Sequence, residues 1–290
     1  MSHTPNAAPA STAHAHTLSM AHSPCPNDTF VFHAWTHGLI DAPPVRLHYA
    51  DIDVTNGASE RGEFDVVKVS YAALPWLMDK YTLLPSGGAL GRGCGPLVLT
   101  AGGASPDTSP DMSLDGKTVA VPSERSTAYL LFRLWAAGQR PARIDVVPFT
   151  SIMPAVRDGQ YDAGLVIHEA RFVYQDFGLR ALVDLGQWWE TDTGLPIPLG
   201  AILARRGLDA AALSRAARES VEYAWANPAA SAVYVAEHAA ELSPDVQRQH
   251  IALYVNEFTR ELGEEGYAAV EALLTRAHAE GLTPRNPVLR

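Results

Sequence analysis

One short pattern occurs twice in this chain, about a hundred residues apart, and it limits the possible folds more than any other feature. The sequence GEFD at 62–65 precedes an apolar run at 66–70, and GQYD at 159–162 precedes a second apolar run at 163–167. The glycine of each copy can end a helix, and the apolar run after it is typical of a strand buried on both faces. Each copy therefore predicts a helix followed by a central strand of a parallel sheet.

A second correspondence lies upstream of the first. Residues 18–23 and 117–122 each predict a short strand, followed by a loop of breaker or polar residues and then by a helix. The two helices are predicted from 28 or 29 to 38 and from 127 to 137. Strands that alternate with helices in both halves of the chain predict an α/β fold.

Two segments rich in glycine and proline, 86–96 and 194–200, flank the second copy and predict crossovers that can act as hinges. At about 150 residues per domain, 290 residues correspond to roughly two domains. We therefore predict two lobes around a cleft, and after them a run of C-terminal helices. The predicted boundaries are a disordered tail at 1–17, a larger domain made of 18–97 and 201–290, and a smaller domain at 98–200. The predicted C-terminal helices are 208–226, 228–241, 244–262 and 264–280.

Composition excludes several classes of protein. The formal net charge of −10 argues against a broad basic surface for nucleic acid. Two cysteines cannot form a disulfide scaffold, and residues 1–17 lack both the basic and the apolar parts of a signal peptide, so we expect a cytoplasmic protein. The longest uncharged apolar stretch, 193–204, is too short to cross a membrane. Neither the histidines nor the cysteines have the spacing of a metal site, so we predict no metal.

Candidate site residues follow the predicted strands, because ligands of open α/β sheets bind beyond the carboxyl ends of the strands. The segments at the carboxyl ends of the predicted strands are 23–28, 68–71, 123–128 and 167–171. They contain Asn27 and Arg171, which are therefore candidate binding residues. Ser126, Thr127 and Ala128 begin a predicted helix, where free backbone N–H groups favour a carboxylate or a phosphate. The alternative is that Ser126 or Thr127 only caps its own helix.

Lys68 and His168 are the charged and titratable candidates. Lys68 interrupts an apolar strand, so its side chain either reaches the cleft or extends to an edge of the sheet, and the neighbouring Ser70 favours the cleft. His168 directly follows an apolar strand, and an imidazole suits proton transfer near neutral pH, although a single histidine can equally be structural. Cys25 precedes a helix but has no predicted base partner, so we do not expect it to be a nucleophile.

Several segments resemble one known family, the 1,4-dihydroxy-6-naphthoate synthases of the futalosine route to menaquinone. They extend over nearly all of the chain from residue 18, and include SPCPNDTF at 23–30, KVSYAA at 68–73, STAY at 126–129 and GLVIHEARF at 164–172. The resemblance implies a fold like that of the type II periplasmic binding proteins. It also implies that His168 is the proposed base and that the substrate contacts are Lys68, Val69, Ser70, Thr127 and Ala128.

The reaction implied by this resemblance is a carbon–carbon lyase step. Cyclic dehypoxanthine futalosine, an aromatic carboxylate, would be converted to 1,4-dihydroxy-6-naphthoate without a redox cofactor or a metal. Two other functions fit the same two-lobed architecture. One is a binding protein for a small solute, since a fold alone does not establish catalysis. The other is the chorismate dehydratase of the same pathway.

Overall fold

The computed structural model describes residues 17–102, 113–240 and 242–290, so the predicted tail lies, except for Thr17, outside the described residues. Within these ranges ten strands form two five-stranded mixed sheets. The strands are β1 Leu18–His22, β2 Val45–Tyr49, β3 Val66–Ser70, β4 Tyr81–Gly91, β5 Leu97–Ala101, β6 Thr118–Val121, β7 Arg143–Val146, β8 Ala163–Val166, β9 Leu179–Asp184 and β10 Ile197–Arg205. The predicted α/β class is confirmed.

The two sheets have the same plan. The order is β2-β1-β3-β10-β4 in the first, called sheet A, and β7-β6-β8-β5-β9 in the second, called sheet B. In sheet A, β1 is parallel to β2 and β3, whereas β10 is antiparallel to β3 and β4. In sheet B, β6 is parallel to β7 and β8, whereas β5 is antiparallel to β8 and β9. The central strands β3 and β8 are therefore parallel to one neighbour only, not to both as a wholly parallel sheet requires.

The repeated GxΦD pattern, in which Φ is the aromatic residue, has the same structural role in both sheets. Gly62 and Gly159 have φ angles of 73° and 72°, a left-handed conformation that glycine adopts without strain after a helix. Asp65 Oδ2 accepts hydrogen bonds of 2.8 Å from both the backbone N–H and the hydroxyl of Ser19 in β1. Asp162 Oδ2 accepts equivalent bonds of 2.8 and 2.9 Å from Thr118 in β6. Each aspartate thus fixes the register between two parallel strands.

The helices cover the faces of the sheets, and those after β10 pack on sheet A and across the cleft. Within the described ranges they are α1 Pro26–Thr36, α2 Ile52–Arg61, α3 Leu74–Leu77, α4 Thr127–Trp135, α5 Phe149–Arg157, α6 Ala170–Val173, α7 Leu185–Thr193, α8 Ala210–Ala226, α9 Ala232–His238, α10 Pro244–Tyr254, α11 Glu257–Arg260 and α12 Gly263–Ala279. The single helix predicted at 244–262 is wrong, because Asn256 caps a new helix through a reciprocal pair of bonds with Thr259.

The glycine-rich segments are mostly strand rather than free crossovers. Strand β4 continues to Gly91, where it pairs with Ile197 at the start of β10. Only 92–96 and 194–196 lie outside the strands at the two crossings between the sheets. Sheet A takes its strands from residues 18–91 and 197–205, and sheet B takes its strands from residues 97–184. The exact domain boundaries at 97/98 and 200/201 stay a prediction.

Gly95 allows two backbone segments to approach each other closely. A Cβ atom at Gly95 would lie 2.2 Å from the backbone nitrogen of Gly186 at the start of α7, a distance that real structures do not contain. The adjacent residues reinforce this contact, since the N–H of Leu185 donates to the carbonyl of Pro96 at 3.0 Å. The glycine at position 95 is therefore required by packing within the protein itself.

Replacing Gly95 by alanine should lower the free energy of unfolding by about 1–3 kcal/mol, because the added methyl group has to displace backbone atoms. The control is Gly57→Ala in α2, where a new Cβ meets only the end of Arg61 at 3.7 Å and helix propensity favours alanine by roughly 0.5–1 kcal/mol. Urea denaturation of both variants measures the difference. Equal stability of the two variants would contradict the close approach at Gly95.

Candidate functional site

A cavity of about 80 Å³ lies between the two sheets, where the loops after β1, β3 and β8 meet the start of α4. A second cavity of about 600 Å³ adjoins it on the outside, and both are lined by Ile52, Ser126, Ile167 and His168. The inner cavity is walled by polar groups from both sheets and by two residues of α10. These are Ser23, Asn27, Asp28, Lys68, Ser70, Ser126, Thr127, His168, His250 and Tyr254.

A buried ion pair forms the floor of the inner cavity. The Lys68 ammonium contacts Asp28 Oδ1, and the two side chains are 6% and 3% exposed. Asp28 also accepts hydrogen bonds from Asn27 Nδ2 at 2.8 Å and from the hydroxyl of Ser23 at 2.7 Å. Burial alone would raise the pKa of Asp28, but the charges of Lys68 and His22 and the hydrogen bonds from Lys68 and Ser23 together outweigh it, and the pKa lies below its ordinary value. Asp28 is therefore a carboxylate held in place by three donors.

Strand alternation explains which residues of β3 reach the cavity. One face of the strand carries Val66, Lys68 and Ser70. Val66 packs in the apolar core beneath α1, the helix that contains Asp28. Lys68 and Ser70 line the cavity. Val69 points to the opposite face and is fully buried in the other core of sheet A, with Leu74. The structure thus brings Lys68 and Ser70 to the site and leaves the side chain of Val69 outside it.

The start of α4 connects the two sheets at the cavity. The Ser126 hydroxyl accepts from the N–H of Tyr129 at 3.1 Å, so Ser126 is the helix cap. The Thr127 hydroxyl donates to the carbonyl of Leu199 in β10 at 2.9 Å and accepts from the N–H of Ala72 at 3.2 Å. That hydroxyl is engaged within the protein. The backbone N–H groups of Thr127 and Ala128 belong to the first turn of α4 and have no acceptor inside the helix.

His168 lies at the junction of the two cavities in a left-handed backbone conformation with a φ of 52°, which no other described residue except glycine adopts. Its Nδ1 is 3.8 Å from the sulfur of Cys25, and its ring meets Phe149 edge to face at 5.8 Å. Burial lowers the pKa of His168, but the sulfur of Cys25 and the carboxylates of Glu169 and Asp28 together raise it to about 9. The ring is thus held by its Nδ1, and Nε2 is the nitrogen left for a ligand.

Cys25 and Arg171 differ from the sequence-based expectations. The sequence assigns no base partner to Cys25, whereas in the structure the turn after β8 brings His168 to the loop that precedes α1. Arg171 was a candidate for substrate binding, yet it lines neither cavity. Its guanidinium donates instead to the carbonyl of Gly95 at 3.0 Å and pairs with Asp184 of β9. Arg171 supports the loop that enters sheet B.

Two further residues of the cavity carried no sequence-based role, Asp28 and His250. Asp28 could have been inferred, since a lysine in an apolar strand needs an anionic partner and Asp28 follows the adjacent strand. His250 belongs to α10, far along the chain, and no sequence pattern around it indicates a site residue.

Among residues 17–102, 113–240 and 242–290, no cluster of three or more histidine, cysteine or acidic side chains is arranged to hold a metal. The same residues contain no helix with the length and hydropathy of a membrane span.

Comparison with known proteins gives consistent matches over almost the whole chain. A family model described as menaquinone biosynthesis matches residues 18–279. A protein of Streptomyces coelicolor named 1,4-dihydroxy-6-naphtoate synthase is 63% identical over 277 residues, which cover 93% of this chain and 96% of that protein. A crystal structure of an Archaeoglobus fulgidus protein has a TM-score of 0.83 at 35% identity and covers 93% of this chain and 99% of its own.

A more distant structure identifies the fold. The periplasmic aliphatic sulphonate binding protein of Escherichia coli matches with a TM-score of 0.66 at 15% identity, covering 94% of this chain and 90% of that chain. At this identity the match concerns the fold alone. The expected two-lobed fold of the periplasmic binding protein type is confirmed.

Replacing Lys68 by methionine should lower the free energy of unfolding by about 3–5 kcal/mol, because it leaves the buried Asp28 carboxylate without its counter-charge. The double variant Lys68→Met with Asp28→Asn should regain part of this loss, since the unpaired charge is gone. Lys80→Met, at an exposed lysine of the same lobe, is the control and should change stability by less than about 0.5 kcal/mol. Urea denaturation measures the free energy of unfolding of each variant. A double variant less stable than Lys68→Met would contradict the pairing of Lys68 with Asp28.

Proposed function

Because this chain belongs to the menaquinone-biosynthesis family, we propose that it is a 1,4-dihydroxy-6-naphthoate synthase that acts on cyclic dehypoxanthine futalosine. In this proposal the enzyme is a carbon–carbon lyase and His168 is its general base. The observation that carries it is the position of His168, which lines both cavities and has one ring nitrogen held by Cys25. The matching relatives are biosynthetic enzymes, which supports a reaction in the cytoplasm.

The start of α4 is the proposed binding place for the substrate carboxylate. Thr127 and Ala128 line the inner cavity, and the backbone N–H groups of this first turn have no acceptor within the helix. The positive end of the helix dipole adds to the attraction for an anion. The Thr127 hydroxyl is bonded to Leu199, so the carboxylate would be held by backbone groups rather than by that hydroxyl.

The general base would work through Nε2 of His168. For Nε2 to carry a lone pair, Nδ1 must carry the proton, and Nδ1–H then donates to the sulfur of Cys25. Nε2 takes the proton of a substrate hydroxyl, and the electron pair of that oxygen forms a carbonyl on the departing fragment. The carbon–carbon bond to this fragment breaks, and its electron pair stays on the ring that becomes the dihydroxynaphthoate. The new ring becomes aromatic, which supplies driving force. The scheme requires neither a redox cofactor nor a metal.

Two alternatives share the architecture and are separated by one assay. The purified protein is incubated with cyclic dehypoxanthine futalosine, and separately with chorismate, and the products are identified by mass spectrometry. Formation of 1,4-dihydroxy-6-naphthoate from the first compound supports the proposal. Turnover of chorismate alone would identify a dehydratase, and saturable binding without turnover of either compound would identify a solute-binding protein.

Replacing His168 by alanine should lower turnover at least about 100-fold, the low end of what a positioned general base contributes. The matched control is His48→Ala, because His48 is exposed on β2 and lines neither cavity. Steady-state kinetics on both variants, with circular dichroism to verify folding, measures the effect. Near-normal turnover in a folded His168→Ala variant would remove His168 from the mechanism.

The pH profile should report the raised pKa of His168. A base with a pKa of about 9 is mostly protonated at neutral pH, so kcat/KM should rise about tenfold per pH unit up to that value and then level off. In Cys25→Ala the sulfur that raises this pKa is absent, and the inflection should move to lower pH. A profile that falls with increasing pH would assign His168 the role of an acid, and an unmoved inflection in Cys25→Ala would exclude the influence of Cys25.

A further inference from the structure

His250 is a buried histidine in the wall of the inner cavity whose role neither the fold nor the proposed base explains. It lies in α10 and is 1% exposed, and its ring is tilted by 48° against the ring of Tyr254 with centroids 4.7 Å apart. Its Nε2 is 3.1 Å from Asn27 Oδ1, which comes from the loop and helix after β1 on the other side of the cavity. The residue thus joins the C-terminal helices to the polar floor of the site.

The hydrogen bonds around Asn27 determine which ring nitrogen of His250 carries the proton. The Nδ2 group of Asn27 faces Asp28 Oδ1 at 2.8 Å, and because Asp28 is a carboxylate it can only accept. Asn27 therefore presents its carbonyl oxygen to His250. A carbonyl oxygen also only accepts, so Nε2 of His250 must be the N–H donor and Nδ1 must carry the lone pair.

The lone pair of Nδ1 has no partner within the described part of the chain, although the atom is fully buried. Leaving a buried acceptor unpaired is costly, which makes the atom a candidate for contact with a ligand. His22 provides a comparison: its Nε2 is also buried and unpartnered, but His22 is stacked on Phe32 at 5.1 Å and lines neither cavity. The position of His250 in the cavity wall distinguishes the two.

We propose that Nδ1 of His250 accepts a hydrogen bond from a hydroxyl of the substrate in the inner cavity and so makes His250 a specificity-determining residue. The identity of that substrate rests on the proposed function, whereas the proton position on His250 does not. A neutral donor fits because a carboxylate would be repelled by the lone pair, and because Lys68 and Asp28 already neutralise each other.

His250 acts here as an acceptor rather than as a second base. Burial, with the nearby charges of His168 and Lys68, lowers its pKa to about 3 against the opposing charge of Asp28. The ring therefore stays neutral through the pH range in which His168 titrates. A site with a buried acceptor of fixed orientation discriminates strongly against a ligand that lacks the matching hydroxyl, because the acceptor is then left unpaired.

Nitrogen NMR on the wild-type protein tests the first half of the inference without any turnover. The ¹⁵N signals of His250 should identify Nε2 as protonated and Nδ1 as bare between pH 6 and 8, and adding 1,4-dihydroxy-6-naphthoate should shift the Nδ1 signal. The same experiment on His22 is the control, and its signals should not respond to this compound. A protonated Nδ1, or no response at His250 under saturating compound, would overturn the inference.

Two substitutions of similar size separate a contact with the substrate from a contact with Asn27. His250→Asn places an oxygen near the position of Nδ1 and loses the donor to Asn27, whereas His250→Gln keeps a donor near Nε2 and loses the acceptor. We expect kcat/KM on cyclic dehypoxanthine futalosine to fall about 10-fold or more in His250→Gln, and to fall severalfold less in His250→Asn, which keeps the acceptor.

The outcomes of this pair are unambiguous once the wild type is active. Equal values in the two variants, or the larger loss in His250→Asn, would overturn the contact with the substrate and leave a structural role through Asn27. An inactive wild type would instead contradict the proposed function, and the NMR result would then stand as the separate test of His250. If circular dichroism shows that either variant is unfolded, the NMR response of the wild type tests the contact between His250 and the substrate.

Discussion

The buried ion pair between Lys68 and Asp28 is the interaction on which the arrangement of the site depends. Asp28 receives Lys68, Ser23 and Asn27, and through Asn27 it sets the proton position on His250. Its charge also helps to raise the pKa of His168 on the other side of the cavity. Apolar residues of the same volume often stabilise a fold as well as a buried ion pair does. The pair is therefore better explained by the orientations it imposes than by stability.

The duplicated fold could be predicted from sequence because its signals are local. Gly62 and Gly159 end helices by their own backbone conformation, and the apolar run after each aspartate is a local signal for a strand. The antiparallel strands could not be predicted in the same way. Residues 86–91 contain three glycines, a composition typical of a loop, and they form a strand only because β10 pairs with them more than a hundred positions later.

The site was only partly predictable for a related reason. The rule that ligands bind beyond the strand ends identified Ser126 and Thr127, and the interruption of an apolar strand identified Lys68. The pairing of Cys25 with His168 joins residues 143 positions apart, and that of Asn27 with His250 joins residues 223 positions apart. Such contacts are created by the packing of α10 and of the turn after β8 on the first sheet, and no local pattern in one sequence encodes them.

The strand order also determines when each sheet can be completed during synthesis. Sheet B is built from the continuous segment 97–184, so all of its strands are available as soon as that segment leaves the ribosome. Sheet A has to wait for β10, and until residues 197–205 emerge the apolar strand β3 has one edge without its partner. An exposed edge of this kind can pair with other chains. The interval in which the nascent chain is most prone to aggregation is therefore set by the length of sheet B and its loops.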